Sequence, residues 1–198
     1  MLRLLIALFL FISCKERNPI FDENKAFDYL LEQCDFGPRN PGSEGYFKCR
    51  DFMIAELKKS TDTVITQNFT YTDEKENNLY ELQNIIARFN PNSKFQTIIS
   101  CHWDTRPWAD MDEEKGNHKQ AILGANDGAS GVAILLELAN ILALNPPTIG
   151  VNLVLFDGED MGVSGIAESY CQGSQFFAKN LPFANIKEAI NLDMVGDR

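Results

Sequence analysis

Basic residues are scarce in this chain of 198 residues. Lys and Arg number 18 against 28 Asp and Glu, for a formal charge of −10. That balance excludes a partner read through its phosphates, because nucleic-acid binding needs clustered cations. Only two histidines are present, His102 and His118. No internal repeat or low-complexity tract interrupts the sequence, so a stacked-repeat architecture is excluded. The compact apolar run Leu4 to Ile12 is too short to span a bilayer. What remains is ordinary: 44% hydrophobic and 23% charged residues suffice for one substantial core in one domain.

The beginning reads as an export signal. A short basic start, Met1-Leu2-Arg3, precedes the apolar run, as in a secretory leader. The run ends in Phe11-Ile12-Ser13-Cys14, which resembles the lipobox of bacterial lipoproteins, where the cysteine is acylated. The expectation is therefore a signal peptide over residues 1–13, a short tether over 14–21 and a single folded domain over 22–198. It carries a lipid anchor on Cys14 and an exported location on the cell envelope. Export leaves Cys34, Cys49, Cys101 and Cys171 where disulfides persist, with three full pairings open. Cys101, on an apolar strand, reads instead as a small buried hydrophobe.

Periodicity then orders the chain. Asp22 to Asp35 predicts a helix with Phe27, Leu30, Leu31 and Cys34 inward, and Ser43 caps a second helix to about Lys58 with Phe47, Phe52, Ile54 and Leu57 inward. Thr63 to Tyr71 and Leu82 to Phe89 alternate as paired strands across a polar turn, and Gln96 to Cys101 is a short strand ending at His102. The polar connection Trp103 to Leu123 is long enough to be functional. A helix over Gly128 to Asn145 stops at Pro146-Pro147, and Val151 to Phe156 is apolar throughout, as when both sheet faces are covered. After an irregular stretch from Gly158 come a helix over Gly173 to Lys179 and a last strand over Ile186 to Leu192. The alternation predicts an α/β fold, three layers around a mixed, centrally parallel sheet.

Acidic side chains collect where these strands end. Gly124-Ala125-Asn126-Asp127-Gly128-Ala129-Ser130-Gly131 sets one carboxylate in a turn of small residues before an apolar helix. His102 and Asp104 follow one strand, Glu159 and Asp160 a second, and Asp193 a third. Ligands of open α/β sheets gather at the carboxyl ends of strands, and carboxylates with an imidazole suit zinc. Singly, each acid reads as a cap or turn residue, and Asp127 in particular could cap its own helix. The adjacent Glu159 and Asp160 point to different sides in extended backbone, which allows one to hold metal and the other to act as general acid/base.

At these residues the chain resembles the zinc aminopeptidase-like clan, and within it the bacterial glutaminyl-peptide cyclotransferases. The likeness runs through Cys34-Asp35-Phe36-Gly37-Pro38-Arg39, His102-Trp103-Asp104-Thr105-Arg106-Pro107, the Asp127 turn, Phe156-Asp157-Gly158-Glu159-Asp160, Gly173-Ser174-Gln175 and Leu192-Asp193-Met194. It implies zinc held by Asp127 and Asp160, Glu159 as general acid/base and Asp193 holding Glu159 in place. His102 and Asp104 match a segment that binds a second zinc in the dinuclear peptidases; in the one-zinc cyclases the matching histidine is not usually a ligand. The third zinc ligand, a distant downstream histidine, is expected beyond Arg198, in a longer protein of which this chain is a part. His118 is not its substitute. Trp103 and Trp108 are the aromatic residues expected to wall a dry substrate pocket.

The implied reaction cyclises an N-terminal glutamine to pyroglutamate with loss of ammonia, on peptides or proteins as partners. Two rivals stand beside it. A zinc aminopeptidase would use the same residues with Glu159 activating water, and a non-catalytic receptor on this scaffold would lack the metal carboxylates that are retained here.

Overall fold

The computed structural model describes residues 19–73 and 77–196, so the leader and Cys14 lie outside the described residues. Helix α1 (Glu23–Asp35) starts at Asp22, whose carboxylate accepts the Asn24 and Lys25 amides. Helix α2 (Glu44–Ser60) starts at Ser43, whose hydroxyl accepts the Tyr46 amide. Each cap satisfies amides that the first helical turn leaves without partners. Strands β1 (Val64–Thr72) and β2 (Leu79–Phe89) form an antiparallel pair. Strand β3 (Gln96–His102), helix α3 (Ala129–Leu144), strand β4 (Gly150–Phe156), helix α4 (Gln172–Lys179) and strand β5 (Ile186–Asn191) follow.

The sheet order is β1-β2-β4-β3-β5. β4, β3 and β5 run parallel, and β2 joins β4 antiparallel. Alternate residues of β2 and β4 face opposite layers, as a pleat of period two requires. Ile85, Ala87, Leu153 and Leu155 pack with α1, α2 and α3, while Ile86, Val154 and Phe156 pack against Phe177 of α4. The expected three-layer mixed sheet is what forms. β4 is buried along its whole length, in line with its unbroken apolar sequence.

The inward faces of the first two helices differ from the periodic reading. In α1 the buried residues are Ala26, Tyr29 and Gln33, while Phe27 and Leu31 are exposed. In α2, Tyr46, Cys49, Met53 and Leu57 are buried and Phe47 is exposed. In α1 a polar residue takes an inward place: Gln33 is buried with its amide donating to the Tyr29 and Ala129 carbonyls, which hydropathy alone does not register. β2 begins three residues before the predicted strand. None of the four described cysteines is paired, and Cys101 is fully buried in the core.

Two details seat the site. Parallel pairing matches Ser100 with Asn191 and His102 with Phe156, so His102, Asp193 and the Glu159 loop emerge at one edge. α3 then packs tightly under that edge: a Cβ on Gly131 would stand 2.7 Å from Cys101 Cβ, so only glycine allows this approach.

Candidate metal centre

His102 is the last residue of β3 and almost fully buried. Its Nε2 lies 2.8 Å from Asp127 Oδ1 and 3.6 Å from Asp193 Oδ1. Donor atoms of His102, Asp127 and Asp193 all fall within 4.8 Å of one another. Asp127 reaches this point because the turn bends through positive φ at Gly124 (64°) and Gly128 (89°), a conformation that costs glycine little. A Cβ on Gly128 would meet the Asp104 carbonyl oxygen at 2.9 Å. The first position of α3 is capped by Gly128 with no side-chain bond, so the capping alternative for Asp127 fails.

Asp104 has a role that no sequence pattern announces. Fully buried, its Oδ1 accepts the Glu159 amide at 3.0 Å and its Oδ2 the Asp160 amide at 3.1 Å. One carboxylate thus fixes the backbone of the acidic pair. Its Oδ1 is also 3.5 Å from His102 Nδ1, an atom with no hydrogen-bond partner among the described residues. Arg106 pins the same loop from the other side. It pairs with Asp110 at 2.7 and 2.5 Å and donates to the Asp160 and Gly162 carbonyls, each at 3.1 Å. The signal for both would have been their partners, which are main-chain atoms and carry no residue identity.

The acids crowd one another. Burial, reinforced by Asp104, Asp127 and Glu159, pushes the Asp160 carboxyl up to about 7. Burial and the charges of Asp104, Asp193 and Asp127 raise Glu159 as well, against the pull of His102. Burial works against a charged His102, but Asp104 and Asp127 outweigh it and hold the imidazole well above its usual range. The hydrogen bond to that ring in turn lowers Asp127. A concave set of oxygen and imidazole donors carrying surplus negative charge fits a divalent cation of zinc's type. Asp160 stands outside the 4.8 Å trio, yet shares its field with Asp127.

The aromatic expectations divide. Trp103 does not wall a pocket: it is completely buried, its ring 4.5 Å from that of Tyr46 and its indole N–H donating to the Gln83 carbonyl. The strand end turns it into the core, opposite to His102. Trp108 lines an open cleft of about 640 Å³ with Pro107, His118 and Val163, a cleft whose lining includes none of Asp127, Glu159, Asp160 and Asp193. His118 bonds the Asp112 carbonyl at 2.8 Å and stays apart from the trio.

Behind the acidic pair lies another buried acid. Asp157 Oδ2 accepts the Tyr46 hydroxyl at 2.5 Å and the Gln83 amide at 2.6 Å, while Oδ1 has no hydrogen-bond partner among the described residues. Burial and the Asp104 charge raise its pKa well above the usual value. Because the folded-state value is raised, the stability it confers is complete below the ordinary carboxylate range and is lost as pH rises through the folded value. The wild type should lose stability through this group as pH rises across that window. Asp157→Asn mimics the protonated acid, and urea unfolding of both proteins between pH 5 and 9 should show the variant gaining on the wild type as pH rises. A constant difference between them would place the charge elsewhere.

The profile of Peptidase family M28 matches residues 84–198. The chain belongs to that family. Among solved M28-like structures, the glutaminyl cyclase of Tannerella forsythia is 38% identical with a TM-score of 0.86, covering 91% of this chain and 64% of that one. A Zn-dependent exopeptidase from Parabacteroides distasonis is 35% identical with a TM-score of 0.85, covering 91% and 64%. The glutaminyl-peptide cyclotransferase of Bos taurus is 26% identical over 132 residues, covering 62% of this chain and 35% of its own length. This M28 chain therefore spans about a third of that curated relative and less than two thirds of these solved structures.

Proposed function

We propose that the protein is a zinc-dependent glutaminyl-peptide cyclotransferase. The observation that carries this choice within the family is the contact of His102 Nε2 with Asp127 Oδ1 at 2.8 Å. That contact is a hydrogen bond, which supports a His102 that orients Asp127 rather than binding an ion. On this reading one ion is held by Asp127 and Asp160. The likeness to solved glutaminyl cyclases at 37–38% identity supports the same choice.

Zinc bound there supplies Lewis acidity toward a side-chain amide carbonyl. Glu159, a stronger base than a solvated carboxylate, takes a proton from the α-amine of the N-terminal glutamine as the amine attacks that carbonyl. The new C–N bond closes the ring, the bond to the amide nitrogen breaks, and Glu159 returns the proton to the departing ammonia. Asp104 fixes the Glu159 backbone, Asp193 holds its side chain, and Trp108 shields the cleft beside the loop. The proposal includes an acyl anchor on Cys14 at the cell envelope and peptides beginning with glutamine as substrates.

The second reading, a zinc aminopeptidase, is favoured by the 4.8 Å grouping of His102, Asp127 and Asp193, which offers a second ion three donors. Incubating purified full-length protein with a glutamine-initiated peptide decides between them. Ammonia release with an intact chain is expected; liberation of free amino acids, with two zincs per protein, would reverse the choice.

A further inference from the structure

The Gly37-Pro38-Arg39-Asn40-Pro41-Gly42 loop between α1 and α2 takes no part in the chemistry above, yet it delivers a completely buried guanidinium to the underside of the site. Arg39 Nε donates to the Trp103 carbonyl at 3.2 Å, Nη1 to the Leu123 carbonyl at 2.9 Å and Nη2 to the Gly124 carbonyl at 2.7 Å. Trp103 lies between His102 and Asp104, and Leu123 and Gly124 open the turn that ends in Asp127. The Arg39 main chain is held too, its amide donating to Thr105 Oγ1 at 2.8 Å and its carbonyl accepting the Thr105 amide at 3.4 Å. A Cβ on Gly128 would stand 3.4 Å from both Arg39 Nη2 and His102 Cε1. Guanidinium, imidazole and the Asp127 turn thus form one packed unit.

Burying a cation is costly, and an apolar side chain would fill the same volume without that cost. What an apolar side chain lacks is a rigid planar fork that holds carbonyls of two separate segments at a set distance. All three guanidinium nitrogens are used on such carbonyls. We infer that Arg39 is a positioning residue for the metal centre, fixing the separation between the β3 end, with His102 and Asp104, and the turn that presents Asp127. The inference rests on Asp127 being a metal ligand.

The test uses the full-length protein with Arg39→Lys and Arg39→Met, titrated with Co²⁺ well below each protein's melting transition. Outer partners of metal ligands are worth about 10–100-fold in affinity, and a loss of that size per folded molecule is expected in both variants, with an altered visible cobalt spectrum. Lysine keeps the charge and most of the stem but cannot reach both segments, so it should not rescue. Variants that melt earlier yet bind Co²⁺ with wild-type affinity and spectrum would overturn the inference, as would full rescue by lysine. Failure of the wild type itself to bind Co²⁺ would instead remove the metal-site reading, and this inference with it.

Discussion

Glu159→Gln should reduce turnover of a glutamine-initiated peptide by about 10²–10⁴-fold, the range that positioned acid–base groups contribute. Zinc content should remain that of the wild type. The glutamine side chain keeps the shape and leaves intact the Glu159 amide bond to Asp104, but its amide cannot carry the proton from amine to leaving nitrogen. KM should move little, because the lost interaction belongs to the reacting state rather than to binding. Parallel measurement of kcat, KM and bound zinc checks all three. Wild-type turnover in the variant would move the acid/base role to another group, with Asp160 the next acid in line. Zinc loss in parallel with activity would instead make Glu159 a ligand.

Asp127→Asn should have the second large effect, on the metal rather than on the proton. Asparagine can still accept from His102 Nε2, so the 2.8 Å contact survives while the ligand charge is lost. Zinc affinity should fall by more than the roughly 10–100-fold attached to an outer partner, and activity should return only at high added zinc. The same substitution removes one of the charges raising Glu159 and Asp160, so the acidic limb of any residual pH profile should shift downward. Competition with a chelator measures the first change, and kcat/KM against pH the second. Unchanged zinc affinity would detach Asp127 from the metal.

Much of the layout was legible in the sequence because it depends on features that hydropathy and turn chemistry record. The uniform apolar run of β4, the alternation of β1 and the small residues before α3 each specify their own element. That acids gather with His102 at the strand ends was legible for the same reason, but the trio within 4.8 Å, His102, Asp127 and Asp193, is not the Asp127 and Asp160 pair expected to hold the ion. The connections behind the site were not legible. Asp104 grips two amides, Arg39 three carbonyls and Arg106 two more, and any residue could supply those main-chain atoms. Trp103 failed differently. It adjoins His102, and on an extended strand end neighbours face opposite ways, so the residue assigned to the pocket belongs to the core.

Glu159 and Asp160 follow β4, a strand flanked by neighbours on both edges and covered on both faces. Amide hydrogens in such a strand exchange with solvent only when the whole molecule opens. Thermal fluctuation short of denaturation therefore leaves the root of the acidic pair fixed relative to His102 on the adjoining strand. The loops around Trp108 and Val163 lack that framework and are tied to the acidic pair through Arg106, which grips Asp110 and the Asp160 and Gly162 carbonyls.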